Sequence, residues 1–300
     1  MCGIVGYVGP RQCAPILMDG LRRLEYRGYD SSGLAVLQDG DFAVRRATGK
    51  LVRLHAVLQA SPLSGTAGIG HTRWATHGRP SEENAHPHRA GDVVLVHNGI
   101  VENFLSLRAD LAAAGRTFSS ETDTEVLSHL VDREVQDGRP LVEAVRRALQ
   151  RVRGSWALAV MSLREPDRIV IARNQSPLVV GVGDGEMAVA SDIPALLDFT
   201  RDYVIVEDGQ VGVVERGGYQ AFDAASGATV AARTIRVDLT PAMAEKGGFK
   251  HFLLKEIHEQ PRALIDTMRG RVSVERGEIL FEDEGPSPEV LAPVGRVHLA

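Results

Sequence analysis

The sequence predicts an α+β fold built mainly from antiparallel sheet. Short apolar runs typical of strands outnumber the amphipathic stretches typical of helices. Turn signals such as Asp39-Gly40 separate these runs at short intervals. The chain is 44% hydrophobic and 24% charged, which is an ordinary composition for a globular protein. These observations favour strands interleaved with a few helices.

The predicted elements follow in chain order. Residues 4–8 are predicted to form a strand stopped by Pro10, and residues 13–25 a helix with one apolar face. Residues 34–37 and 42–46 are predicted to form a hairpin. The remaining elements are a strand over 93–97, a helix over 120–131, strands over 156–163, 169–173, 178–183 and 187–190, and a helix over 249–268 that Pro261 kinks or divides.

Length and charge limit the possible functions. The chain has 300 residues and a formal charge of −5, which gives no general bias towards nucleic acid or anionic membranes. It contains neither an apolar run of the ~18 residues that a membrane helix needs nor a signal peptide. Two cysteines do not make a disulfide framework, so we expect a reduced, cytoplasmic protein. A shift in composition near residue 240 predicts a complete domain over 1–238.

Cys2 raises the first functional question, because a terminal residue is usually frayed and solvated. Once Met1 is removed, the thiol and a free α-amine belong to the same residue. An α-amine has a pKa of about 7.7–8.0, so it can take the thiol proton and activate a nucleophile. The alternative is a cysteine that starts a strand and packs as a small hydrophobic residue. Cys13, inside the predicted helix, is expected only to pack.

Residues 71–88, HTRWATHGRPSEENAHPH, are predicted to form a loop. The four histidines match no compact zinc spacing, so no metal is expected. Arg73 can hold a carboxylate through two hydrogen bonds. The alternative is a solvated loop with Trp74 tucked into the core.

Two further motifs, one at Asn98-Gly99 and one at Asp123, could supply hydrogen-bond donors and an acceptor to a ligand. Asn98 and Gly99 are either a hairpin turn or an oxyanion hole made of the Asn98 amide and the Gly99 N–H. Asp123 either caps a helix or accepts hydrogen bonds from a ligand ammonium. Together with Cys2 and Arg73, they describe a site for an amino acid whose side-chain carbonyl is attacked, and glutamine fits.

The sequence also resembles a known family. The resemblance is carried by CGIVG at the N-terminus and by LRRLEYRGYDSSG, HTRWATHG, ENAHPH, VHNGIVEN, ETDTEV, ARNQSPLVVG, ASDIPALL and KEIHEQPRALIDTMRGR. These motifs resemble the class II glutamine amidotransferases with an N-terminal nucleophile. More narrowly, they are similar to the glutamine–fructose-6-phosphate aminotransferases, over nearly the whole chain.

The resemblance implies a four-layer αββα sandwich of the N-terminal-nucleophile hydrolase type and assigns the catalytic roles. Cys2, after removal of Met1, would attack the glutamine amide and form a γ-glutamyl thioester, with its own amine as base and then acid. Asn98 and Gly99 would form the oxyanion hole.

The resemblance also implies how the substrate is bound. Arg73 would bind the glutamine α-carboxylate, helped by Thr76 and His77. Asp123, with the Gly99 carbonyl, would hold the α-ammonium. Arg27 would support the site near the N-terminus. Trp74 would belong to a loop that closes over glutamine and gates ammonia.

The same family implies partners that lie outside these residues. Ammonia would pass to a fructose 6-phosphate site in sugar-isomerase domains, and the full-length enzyme would be a homodimer without a cofactor. Residues 239–300 are then expected to be a linker and the truncated start of such a domain. Two alternatives stay open: the glutaminase part of another amidotransferase, and a catalytically silent glutamine-binding module.

Overall fold

The structure is a computed structural model that describes residues 2–238, 249, 251–268, 272–273 and 278–279. The chain divides into two compact units, Met1–Ala244 and Glu245–Ala300. The helices of the first unit are α1 (Cys13–Arg23), α2 (Leu51–Ala60), α3 (Phe104–Ala113), α4 (Thr124–Gln136) and α5 (Leu141–Leu149). The described residues of the second unit form α6 (Phe252–Met268) and a two-stranded antiparallel sheet, β16 (Val272–Ser273) with β17 (Glu278–Ile279).

The first sheet of the first unit has eight antiparallel strands in the order β15-β11-β9-β10-β1-β4-β2-β3. Their bounds are β1 (Gly3–Val8), β2 (Ser31–Gln38), β3 (Asp41–Thr48), β4 (Ala67–Arg73), β9 (Val179–Val182), β10 (Met187–Ala190), β11 (Asp202–Ile205) and β15 (Arg233–Arg236). The N-terminal strand β1 lies inside the sheet, paired with β10 on one side and β4 on the other.

The second sheet has seven antiparallel strands in the order β14-β13-β12-β8-β7-β6-β5. Their bounds are β5 (His88–Ala90), β6 (Val93–Val101), β7 (Gly154–Ser162), β8 (Glu165–Asn174), β12 (Gln210–Glu215), β13 (Gly218–Asp223) and β14 (Thr229–Val230). Strand β6 pairs with β7 along its whole length, whereas β5 covers its other edge only as far as Leu95.

Three apolar layers hold these elements together, because alternate residues of a strand point to opposite faces of the sheet. One layer lies between the two sheets and contains Ile4, Ile69 and Ile171. A second joins the first sheet to α1 and α2, and a third joins the second sheet to α3, α4 and α5. The first unit is therefore a four-layer αββα sandwich, and the predicted fold class is confirmed.

Each predicted element is present in the structure with shifted boundaries, but helices α2, α3 and α5 and strands such as β4, β12 and β13 were not predicted. The predicted helix over 13–25 ends at Arg23 and is followed by a 3₁₀ turn, Glu25–Arg27. Residues 71–73 complete strand β4, so the predicted loop begins only at Trp74. Helix α6 is continuous through Pro261 and is not divided there.

Candidate active site

Cys2 stands at the start of β1 and is fixed through its backbone. Its carbonyl oxygen accepts hydrogen bonds from Arg27 Nη1 and from Asn98 Nδ2, both at 3.2 Å. Two residues along, Ile4 exchanges hydrogen bonds with Ser191, whose Oγ accepts from Ile4 N at 3.0 Å and whose N–H donates to the Ile4 carbonyl at 3.0 Å. The end of the chain that carries the thiol is therefore ordered by tertiary contacts.

Arg27 is brought to this position by the 3₁₀ turn that follows α1. Its Nη2 donates to Asp192 Oδ2 at 2.8 Å and to the Ser191 carbonyl at 3.2 Å. Only 7% of the Arg27 side chain is exposed, against 33% for Asp192, so the ion pair is partly shielded from solvent. Arg27 thus links the Cys2 carbonyl to the residues that follow β10.

The Cys2 thiol lies under the start of the loop after β4. Sγ accepts a hydrogen bond from the Trp74 N–H at 3.2 Å. Burial raises the pKa of the thiol above its ordinary value, and the Trp74 hydrogen bond and the Arg73 charge oppose that rise only in part. A thiol with a raised pKa is protonated near neutrality, so this cysteine needs a base to act as a nucleophile.

The loop over 74–87 is attached at its beginning by Asp30. Asp30 Oδ2 accepts from the Ala75 N–H at 2.6 Å, and the Asp30 N–H donates to the Arg73 carbonyl at 2.8 Å. The Trp74 ring lies over Gly28, where an added Cβ would come within 2.6 Å of Trp74 Cζ3. Trp74 is nevertheless 54% exposed, which excludes the alternative that it is tucked into the core.

Arg73 is the last residue of β4, and it is buried. Its Nη2 donates to the carbonyl oxygens of His77 and Gly78. Its Nη1 is buried and has no hydrogen-bond partner among the described residues. An uncompensated buried guanidinium nitrogen is costly, and an anion is the group that would satisfy it.

Thr76 and His77 lie in the same loop. His77 Nδ1 is 3.3 Å from Thr76 Oγ1, and the His77 ring packs edge-on against Phe104 with 5.0 Å between ring centroids. Phe104 begins α3, so this contact attaches the loop to the helical layer of the second sheet.

Asn98 and Gly99 lie within β6, so the prediction that the strand ends there is wrong, and the hairpin alternative is excluded. Both pair with β7, Asn98 opposite Ala157 and Gly99 opposite Trp156. Gly99 has a φ of +138°, and a Cβ there would lie 2.0 Å from the Ser155 carbonyl oxygen. Only glycine is tolerated at this position.

Asp123 precedes α4, but its side chain does not cap that helix. Its Oδ2 instead accepts from the Val101 N–H, at 2.8 Å, at the end of β6. The capping alternative is therefore excluded, and a buried carboxylate stands beside the strand that carries Asn98 and Gly99.

The histidines of the 71–88 segment are mostly structural. His71, His86 and His88, together with His97, are buried, and desolvation lowers the pKa of each, to about 3 for His71 and for His88. Among the residues that the structure describes, no group of histidine, cysteine, aspartate or glutamate side chains is arranged to hold a metal ion.

Sequence reasoning missed several residues that position this site. Asp30 lies in the quoted RGYDSSG motif but was given no role, and Ser191 and Asp192 lie in ASDIPALL. Glu125 accepts hydrogen bonds from Ser119 and Ser120 and so shapes the segment before Asp123. Their only sequence signal is that they fall inside the motifs that carry the family resemblance.

Comparison with known proteins defines the class. Residues 71–198 match the family described as a glutamine amidotransferase domain. The structure is similar to that of the glutamine phosphoribosylpyrophosphate amidotransferase from B. subtilis, with a TM-score of 0.65 and 26% identity over 75% of this chain and 50% of that one. The chain therefore contains a glutamine amidotransferase domain with the N-terminal-nucleophile fold.

Two curated relatives that are similar in sequence are of one enzyme type. The chain is 51% identical over 289 residues to the glutamine–fructose-6-phosphate aminotransferase (isomerizing) of Symbiobacterium thermophilum, covering 96% of this chain and 47% of that protein. It is 52% identical over 268 residues to the same enzyme of Mesorhizobium japonicum, covering 89% and 44%. The resemblance stated from the motifs is confirmed, and the chain spans about half the length of these relatives.

Within the described part of the chain, no helix has the length and apolar character needed to cross a bilayer.

The buried histidines predict an acid-sensitive fold. An unfolded histidine has a pKa of about 6.5, whereas these four stay neutral in the folded state, so the unfolded chain binds more protons as the pH falls below 7. The contribution of these histidines to stability is fully present above pH 7. It is lost as the pH falls through 6.5 towards 3. We expect the free energy of unfolding to fall by roughly 1 kcal/mol for each of His71 and His88 between pH 7 and 5.5, and further for His86 and His97, whose pKa values are also lowered.

Urea unfolding at several pH values measures this change. The variant His55→Gln is the control, because His55 is exposed on α2 and lies outside the group of buried histidines. A free energy of unfolding that is constant between pH 7 and 5.5 would contradict the prediction.

Proposed function

We propose that this chain releases ammonia from the side-chain amide of glutamine, with Cys2 as the nucleophile. The observation that carries the proposal is that the Cys2 thiol lies close to a buried guanidinium with one unpaired nitrogen. The N–H of Trp74, the residue after Arg73, donates to Sγ, and the Arg73 charge acts on the thiol to lower its pKa. The match to a glutamine amidotransferase domain supports the same reaction.

Substrate binding follows from the two buried charges. Arg73 Nη1 would donate to the glutamine α-carboxylate, its missing acceptor, and the carboxylate of Asp123 would accept from the α-ammonium. Thr76 and His77 would border the carboxylate, because Arg73 already donates to the His77 carbonyl. Trp74, exposed above Gly28, is the residue available to close over the ligand.

The reaction begins with the proton of the thiol. Once Met1 is removed, the α-amine of Cys2 takes this proton and Sγ attacks the glutamine side-chain carbonyl carbon. The tetrahedral intermediate collapses as the protonated amine returns its proton to the leaving nitrogen, which departs as ammonia. The γ-glutamyl thioester that remains is hydrolysed by water to glutamate, with the amine again acting as base.

The oxyanion of the tetrahedral intermediate needs two donors, and β6 supplies candidates for both. Asn98 Nδ2 already points at the Cys2 carbonyl, 3.2 Å away. The His97 N–H donates to His86 Nδ1 and the Val101 N–H donates to Asp123 Oδ2. Both N–H groups therefore lie on the edge of β6 that is not paired with β7. Because N–H groups alternate sides along a strand, the Gly99 N–H is directed to that same open edge, beyond the end of β5.

The wider role that we propose is ammonia supply for aminotransfer to fructose 6-phosphate, yielding glucosamine 6-phosphate. The names of the curated relatives support it, and the sugar chemistry would belong to sequence outside this chain. We assign residues 1–238 to the glutaminase domain and residues 239–300 to a linker and the start of a sugar-isomerase domain. A cytoplasmic location and a homodimeric full-length enzyme remain predictions.

A second candidate is the glutaminase part of an amidotransferase with another acceptor. The likeness to the phosphoribosylpyrophosphate amidotransferase structure favours it over unrelated functions, although the identity there is only 26%. Both candidates share the chemistry at Cys2.

Removal of the Cys2 sulfur tests the nucleophile. Purified chain should release glutamate from glutamine, and Cys2→Ala should abolish the release because no other residue carries the attacking sulfur. Glutamate is measured by a coupled dehydrogenase assay, with intact mass to establish that Met1 is absent. Cys13→Ala is the matched control and should keep the activity, since that thiol is buried and its pKa is raised to about 12. Equal activity in Cys2→Ala and the unaltered chain would refute the proposal.

Removal of the Arg73 charge tests the carboxylate site. Arg73→Met should raise the KM for glutamine by roughly 10- to 100-fold, because a hydrogen-bonded ion pair to the substrate is lost. Arg22→Met is the control, since Arg22 pairs with Asp19 on the exposed face of α1. An Arg73→Met protein that unfolds like the unaltered chain and keeps its KM would show that Arg73 does not bind substrate.

A further inference from the structure

A buried hydrogen bond lies behind Asn98, on the side away from Cys2. His71 Nε2 is 2.9 Å from Asn98 Oδ1. His71 is fully buried in β4 and Asn98 is 7% exposed in β6, so this bond joins the two sheets directly beneath the candidate oxyanion hole. None of the roles assigned above uses His71.

The direction of this bond follows from the chemistry of its neighbours. The Cys2 carbonyl oxygen can only accept a hydrogen bond, so the Asn98 amide must turn its NH₂ group towards it. The amide oxygen of Asn98 then faces His71. An amide oxygen can only accept, so the proton of the bond must be carried by His71 Nε2.

We propose that His71, as the neutral Nε2–H tautomer, is a positioning residue that fixes the orientation of the Asn98 side chain. This inference rests on the proposed function, in which Asn98 Nδ2 stabilises the oxyanion. An Asn98 side chain free to rotate by half a turn would present its oxygen to the oxyanion and repel it. The hydrogen bond from His71 removes that second orientation.

The surroundings of His71 hold it in place and keep it uncharged. Its ring stacks on that of His86, with 4.1 Å between centroids and 25° between planes. His86 Nδ1 in turn faces the His97 N–H at 3.4 Å. Burial lowers the pKa of His71 to about 3, against the opposing effects of Asn98 and the His97 backbone. The nearby Arg73 charge also disfavours a protonated ring.

Losing His71 should lower kcat by no more than losing the Asn98 donor that it orients. Loss of one oxyanion-hole donor typically costs ~10²–10³ in kcat. Loss of its orientation should cost part of that, so we expect His71→Met to lower kcat by roughly 10- to 100-fold. The KM for glutamine should stay within about threefold, because the substrate charges are held by Arg73 and Asp123.

His71→Gln separates positioning from packing. A glutamine amide N–H can replace the imidazole Nε2–H as the donor to Asn98, whereas methionine fills the space without a donor. We expect His71→Gln to keep kcat within about fivefold of the unaltered chain. Equal kcat losses in His71→Gln and His71→Met, or no loss in His71→Met, would overturn the inference.

If His71→Met does not fold, the tautomer of His71 can be measured in the unaltered protein. In a chain labelled with ¹⁵N at histidine, NMR should show His71 protonated at Nε2 and not at Nδ1, with no titration between pH 7 and 5. A proton on Nδ1, or a charged ring in that range, would overturn the inference. If the unaltered chain lacking Met1 releases no glutamate, the proposed function fails, and the tautomer alone then decides whether His71 orients Asn98.

Discussion

The site depends on one constraint, which is that the N-terminal strand is an interior strand of the first sheet. Because β1 is paired on both edges, with β10 and with β4, the residue before it cannot fray. Cys2 is then held through its carbonyl by Arg27 and Asn98, which come from different layers of the sandwich. A nucleophile at a chain end is normally mobile. Here the sheet and these two hydrogen bonds fix the backbone of the residue that carries the thiol.

The second organising feature is the separation of charged from neutral polar groups. Arg73 and Asp123 are buried charges whose hydrogen bonds with protein leave capacity for a ligand. Beneath them, His71 and His86 are buried and neutral, so they provide hydrogen bonds and packing without adding a competing charge. Glutamine, with one carboxylate, one ammonium and a neutral amide, matches this distribution. A metal ion or a polyanion would not.

Much of the fold and the site could be predicted from the sequence, for identifiable reasons. Strands such as β7 and β10 are nearly continuous apolar runs, which local periodicity detects. Helix α3 was missed because only Leu107 and Leu111 are buried along it, which leaves little amphipathic signal. Asn98-Gly99 resembles a turn locally, and only the tertiary pairing with β7 makes it strand. Asp30 acts through a backbone contact distant in sequence, which no local pattern reveals.

The central claim is that the thiol of residue 2 is the nucleophile for a glutamine-shaped ligand, and covalent labelling tests it most directly. The diazoketone analogue of glutamine, 6-diazo-5-oxo-L-norleucine, alkylates a nucleophile that is held at the side-chain carbonyl position, with loss of nitrogen. Intact mass and peptide mapping should show one adduct per chain, on Cys2, in protein that has lost Met1, and excess glutamine should slow its formation. An adduct on Cys13, or no adduct in protein whose Met1 is removed, would contradict the account.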